Sequence, residues 1–202
     1  MSLPFTTLTS IAAPMIEANI DTDIIIPSRE MTSTGKTGLA GGLFAGRRYR
    51  PGSRDPDLDF VLNRPRYARA AILLAGDNFG CGSSREHAVW ALFEFGIRAV
   101  IAPGFSPIFA GNAVRGGVLP LVLPAEAIAV LTGEVSIDLL AQTVIADGRC
   151  FDFTIDAEAK AMLIGGLDAI DLTLQSAGTI AAWQAGDRRA RPWVYLTNDR
   201  GQ

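Results

Sequence analysis

The chain has 202 residues, the size of one domain or of one domain with an appendage, and can bury a substantial core. Apolar residues make up 49 % of it, which excludes a disordered chain, while no apolar run reaches the ~18 residues that a membrane span needs. The net charge of −3, with no dense Lys/Arg cluster, argues against nucleic-acid binding. The N-terminus, Met1-Ser-Leu-Pro-Phe5, lacks the basic and apolar regions of a signal peptide, so a cytoplasmic protein is expected. Cys81 and Cys150 are the two cysteines and His87 the one histidine. An iron–sulfur cluster takes about four thiolates, and a zinc site about three or four ligands. No metal site is therefore expected in this chain, and any Lewis acid must come from another polypeptide.

In chain order, Ile11-Ala-Ala-Pro14 reads as a strand that ends at the proline. In Asn19-Ile-Asp21-Thr22-Asp23-Ile-Ile-Ile-Pro27, two aspartates bracket a threonine before a β-branched run, which predicts an extended segment stopped by Pro27. Taken alone, the aspartates are explained by a turn in which they bond their own backbone. Residues 28–50 are rich in Gly, Thr and Ser, and a loop of that kind is more often functional or disordered than inert. Within it, Thr34-Gly35-Lys36-Thr37-Gly38 suggests a P-loop, but Glu30 stands where the first glycine belongs. Leu58-Asp-Phe-Val-Leu62 then predicts a short helix or turn.

Ala70-Ala71-Ile72-Leu73-Leu74-Ala75 reads as a buried strand, and Ala88, Ala91, Leu92 and Phe95 have the spacing of an amphipathic helix. Between them lies Asn78-Phe-Gly-Cys-Gly-Ser-Ser-Arg-Glu-His-Ala88. Gly80 and Gly82 mark a tight strand-to-helix turn, and Ser83 or Ser84 falls where an N-cap belongs. Unpaired N–H groups at such a helix start favour an anion. With two hydroxyls and the Arg85 guanidinium beside them, a carboxylate site is the first expectation, and plain helix capping explains the same spacing. Arg85 replaces the third glycine of a dinucleotide fingerprint, so that motif is not met. Nor is Gly82-Ser-Ser-Arg-Glu86 a Gly-x-Ser-x-Gly elbow.

Further strands are predicted at Arg98-Ala-Val-Ile-Ala102 and Val118-Leu-Pro-Leu-Val-Leu123, the second an edge strand or bulge because of Pro120, with a helix over 105–116 between them. This βαβαβ alternation implies parallel strands covered by helices. A short helix over 125–131 precedes strands that turn at Asp147-Gly148. Residues 157–163 and 168–185 read as closing helices, and 186–202 as an extended tail. Its basic stretch, Arg188-Arg189-Ala-Arg191, reads as a solvated surface.

Residues 78–88 resemble the signature of the small subunits of 3-isopropylmalate dehydratase, in the aconitase superfamily. Asn19-Ile-Asp-Thr-Asp-Ile-Ile-Ile-Pro27, Asp59-Phe-Val-Leu-Asn63, Ile101-Ala-Pro-Gly-Phe105 and Gly166-Leu-Asp168 fall in that family's order, so the resemblance covers nearly the whole chain. It implies an α/β fold of the swivelling β/β/α type, a partly parallel sheet flanked by helices, as a single domain over 1–202. It also implies a hydro-lyase that interconverts 2- and 3-isopropylmalate by dehydration and rehydration, in leucine biosynthesis. Such an enzyme is active only with a large subunit, in a heterodimer or larger assembly, and the large subunit brings the [4Fe-4S] cluster. The alternatives are a relative acting on another substituted malate (homoaconitase-like, citraconate or dimethylmaleate hydratase) and a non-catalytic anion-binding domain.

By the same resemblance Ser83 is the base, Ser84 and Arg85 grip a substrate carboxylate, and Asp23 lies near the active site. The loop of residues 28–42 closes over the variable side chain of the substrate. Lys36 stands where several small subunits carry arginine, which keeps the charge but loses a planar bidentate donor. Cys81, inside the signature, reads as an inert cysteine in a tight turn. His87 reads either as an orienter of a neighbouring group or as a helix-face hydrogen bond at the subunit interface.

Overall fold

The computed structural model describes residues 3–31 and 35–195. Thr34 of the glycine-rich loop and residues 196–202 of the expected tail lie outside the described residues. The chain divides into two compact units, residues 1–167 and 168–202.

The first unit is built on strands β1 (Thr7–Met15), β2 (Ile72–Ala75), β3 (Ala99–Ala102) and β4 (Leu119–Val122), paired in parallel, and on β5 (Glu134–Asp138), β6 (Thr143–Ala146) and β7 (Arg149–Asp152), paired antiparallel. They form one sheet of order β4-β3-β2-β1-β5-β6-β7, in which β1 pairs parallel with β2 and antiparallel with β5. This is the partly parallel α/β sheet expected. Pro120 sits in β4, an edge strand, where a residue without an N–H costs no interior ladder bond. β6 and β7 join through Asp147 and Gly148, both at positive φ (47° and 74°), as a two-residue hairpin turn requires.

Parallel strands are buried on both faces, so β2 shows no polar alternation. Ile72 and Leu74 point into one core and Leu73 and Ala75 into the other. Between β1 and β2 come the one-turn helices α1 (Thr22–Ile25) and α2 (Ala45–Arg48). Helices α3 (Glu86–Phe95) and α4 (Pro107–Arg115) cross from β2 to β3 and from β3 to β4. Ala88, Val89, Ala91 and Leu92 of α3, and Phe109 and Ala113 of α4, join Ile25 of α1 and Leu43 and Phe44, just before α2, in the core that holds Leu73 and Ala75. On the opposite face α5 (Ala125–Ile128) and α6 (Ala157–Gly165) pack Ala127, Ile128 and Leu163 with residues of β5 and β6.

In the second unit the helix expected over 168–185 is two helices, α7 (Ala169–Leu174) and α8 (Ala177–Ala190). Asp168 and Asp171 form a reciprocal capping box at the start of α7. The extended tail expected from Gly186 is instead helical to Ala190, where Arg188, Arg189 and Ala190 favour the helix. Tyr195 then donates to Asp187, which also pairs with Arg191, and this folds the turn at Pro192–Val194 back onto the end of α8.

Candidate active site

Segments leaving the carboxyl ends of three adjacent parallel strands converge, which is where open α/β sheets place their sites. Past β1, Asp21 pairs in a parallel bridge with Cys81, past β2; Phe79 pairs likewise with Phe105, past β3. Gly80 N–H donates to the Ile20 carbonyl at 2.7 Å, and Phe79 exchanges hydrogen bonds with the Gly104 carbonyl and the Ser106 N–H. The Phe79 ring, fully buried, meets the Phe109 and Phe105 rings edge-on at 5.2 and 6.2 Å. Burying such a side chain contributes about 2–3 kcal/mol. The signature therefore starts from a rigid aromatic floor.

Its two glycines are needed for different reasons. Gly80 has φ +75°, and a Cβ there would lie 2.1 Å from Cγ of Phe109. At Gly82 a Cβ would meet only ordinary contacts, Asp21 Cβ at 3.4 Å and Thr22 Oγ1 at 3.5 Å, but φ is +89°. Backbone conformation alone demands glycine there.

The serine turn is locked from the side by Thr22. Its N–H donates to the Cys81 carbonyl at 2.9 Å, and its Oγ1 accepts the Ser83 N–H at 3.1 Å. These contacts hold residues 81–83 away from helical geometry, so neither Ser83 nor Ser84 is the N-cap. Arg85 is, with extended backbone (φ −109°, ψ 107°) and no side-chain cap bond. Its N–H donates to the Ser83 carbonyl at 2.9 Å, which tightens the turn. Both serines are exposed, and among the described residues their hydroxyls have no protein partner. The N–H groups of Glu86 and His87, at the start of α3, likewise have no partner among the described residues.

The two aspartates have separate jobs. Asp21 caps α1, its carboxylate accepting the Ile24 N–H at 2.7 Å, which turns Thr22–Ile25 into a helix where the β-branched run predicts an extended segment. Asp23 points outward and pairs with the Arg85 guanidinium. The Arg85 side chain is 22 % exposed and Asp23 is 56 % exposed, so the guanidinium is half-sheltered and the carboxylate faces solvent. Behind α1, Arg47 makes a two-point ion pair with Glu17. That hydrogen bond holds the Glu17 carboxyl below its ordinary range.

Lys36 stands apart from this pair, with Nζ 5.4 Å from the ring centroid of Trp90 on α3. The His87 ring packs on the same indole at 4.8 Å. Two residues escaped the sequence reading. Thr22 shows in the sequence only as the residue between two aspartates. Glu94 belongs to no motif in the sequence, yet it accepts the N–H groups of Gly38, Leu39 and Ala40. Among the described residues no group of His, Cys, Asp and Glu side chains is placed to hold a metal, so these residues do not fit an iron–sulfur cluster or a zinc ion. Cys81 is half-buried in the turn and Cys150 is exposed.

Residues 3–126 match the aconitase C-terminal domain family. The chain is 53 % identical to the 3-isopropylmalate dehydratase small subunit of Cupriavidus necator, over 96 % of this chain and 98 % of that one. It is 48 % identical to the protein of the same name from Paracoccus denitrificans, over 94 % and 98 %. Its fold is similar to the crystal structure of 3-isopropylmalate dehydratase from Methanocaldococcus jannaschii, with TM-score 0.67 and 26 % identity, covering 88 % of this chain and 99 % of that one. Over the converging strand ends, the glycine turn and nearly its full length, the chain belongs to the 3-isopropylmalate dehydratase small subunits of the aconitase superfamily.

Proposed function

We propose that this chain supplies the proton-transfer and carboxylate-binding half of a 3-isopropylmalate dehydratase active site, completed by a large subunit in the cytoplasm. The reaction removes water from 2-isopropylmalate and returns it with the hydroxyl on the neighbouring carbon, giving 3-isopropylmalate for leucine biosynthesis. A base must take a proton from carbon, and the hydroxyl must be drawn off. The [4Fe-4S] cluster of the enzyme is assigned to the large subunit, since this chain's ligand set does not fit one. The names of the relatives favour this reading over the other substituted malates and over a non-catalytic binding domain.

The observation that carries the reading is the Arg85–Asp23 pair beside two exposed, unpartnered serine hydroxyls. A guanidinium that already holds a carboxylate has the geometry to hold the substrate's. In this reading the substrate displaces or joins Asp23, and Ser84 donates a second hydrogen bond. Ser83 is the base. A serine hydroxyl is too weak an acid to ionise unaided, so the cation of Arg85 and the unbonded N–H groups at the start of α3 stabilise its alkoxide. The loop that carries Lys36 serves the variable side of the substrate, and the Lys36 ammonium meets a substrate carboxylate as a point charge.

Exposure of the serine turn also supports a two-chain site. Charge stabilisation of this kind weakens in bulk water, so a second surface must cover the turn for the chemistry to run. Ser83→Ala in the assembled enzyme is expected to lower kcat by about three orders of magnitude or more with the complex intact, as an essential proton-transfer group would. Steady-state kinetics beside size-exclusion chromatography checks this, and near-normal turnover would remove Ser83 from the role of base.

A further inference from the structure

Helix α3 carries Arg85 at its start, Trp90 about one and a half turns on, and Glu94 in its last turn. A carboxylate in the last turn opposes the helix dipole, so Glu94 is poorly placed for helix stability. Its environment shows another use. Oε1 accepts the Gly38 N–H at 2.7 Å, and Oε2 accepts those of Leu39 and Ala40 at 2.5 and 2.9 Å. Three successive N–H groups wrapped on one carboxylate form an anion nest, here filled by the protein's own side chain.

The other side of the same segment is also held. The guanidinium of buried Arg48 donates to the carbonyls of Ala40 and Gly41 at 3.0 and 3.3 Å, and the Leu39 side chain is buried in the core. Gly38, at φ +83° with open space where a Cβ would stand, bends the chain towards Lys36 two residues earlier. Lys36 in turn lies over Trp90, one helical turn before Glu94.

We propose that Glu94 is a positioning residue for substrate selection: by clamping the N–H groups of Gly38, Leu39 and Ala40 onto α3 it fixes where Lys36 stands relative to Arg85. This rests on the reading above that Lys36 faces the substrate. The clamp acts on substrate binding and leaves proton transfer at Ser83 untouched, so its loss raises KM more than it lowers kcat.

The test uses the assembled two-chain enzyme carrying Glu94→Gln, Lys36→Ala or both. Glutamine keeps one acceptor oxygen and turns an amide donor towards N–H groups that need an acceptor. Hydrogen exchange at Gly38, Leu39 and Ala40 is expected to speed up at least tenfold, with α3 protection unchanged. KM for isopropylmalate is expected to rise about tenfold with kcat within threefold, and Glu94→Gln is expected to add no further KM increase to Lys36→Ala. Unchanged exchange overturns the clamp. Faster exchange with unchanged KM overturns the positioning role. Additive effects in the double variant overturn action through Lys36. If Lys36→Ala alone leaves KM unchanged, the substrate-facing reading of Lys36 fails, and the exchange result still decides the clamp.

Discussion

Thr22 shows how one buried hydroxyl can govern a site it does not enter. The residue is 2 % exposed, and its polar atom costs little because Oγ1 receives the Ser83 N–H. Thr22→Val keeps the shape and removes the acceptor, leaving that N–H without its partner. The expected outcome in the assembled enzyme is a kcat lower by about 10- to 100-fold, with stability reduced by about 1–2 kcal/mol. Kinetics and urea unfolding of the same variant check the two together, and unchanged kcat would mean the turn holds its own shape. At this scale the site was half legible. Arg85, the serines and Asp23 stand in motifs that can be read by resemblance. Thr22 and Glu94 act on partners 61 and about 55 residues away, and nothing in their own neighbourhood marks them.

Among the elements, the parallel strands and their crossover helices were readable because burial on both faces writes unbroken apolar runs. Where the structure departs from the sequence pattern, a long-range contact or a local cap overrules propensity. The Asp21 cap made α1 out of isoleucines that favour strands. The bridge from Asp21 to Cys81 and the Thr22 bond to the Ser83 N–H hold the serine turn out of the helix, and the N-cap falls at Arg85. In the second unit the break between α7 and α8, at Gln175 and Ser176, has no glycine or proline to announce it. The glycine turn supplies the prediction at this scale. Gly80→Ala adds a methyl inside the Phe109 ring contact and a positive φ, and should cost about 2–5 kcal/mol in denaturant unfolding. Gly82→Ala meets only the backbone term and should cost about 1–2 kcal/mol. Equal losses at the two positions would contradict the aromatic-floor account.

For the whole molecule, acid sensitivity follows from the carboxyls that tie distant segments together. The Arg47 hydrogen bond holds Glu17 below its ordinary value. At Glu94 burial pulls the carboxyl up, but the N–H groups of Gly38, Leu39 and Ala40 outweigh it and leave the value lowered. A lowered folded-state value means the contribution is fully present above the unfolded-state value of about 4.3 and is lost as pH falls through the folded one. The urea midpoint should therefore be flat from pH 7 to about 5 and fall below about 4.3. A Glu17→Gln, Glu94→Gln double variant should show a shallower fall, and a slope equal to the unaltered protein's would assign acid sensitivity to other groups.

In the proposed function this chain holds half of an active site and another chain holds the rest. Co-expression with a 3-isopropylmalate dehydratase large subunit, followed by an anaerobic assay of each chain alone and of the pair, tests it most directly. Isopropylmalate is expected to be isomerised in both directions by the pair and by neither chain alone. Turnover by the large subunit by itself, or a stable pair that leaves isopropylmalate untouched, would contradict it.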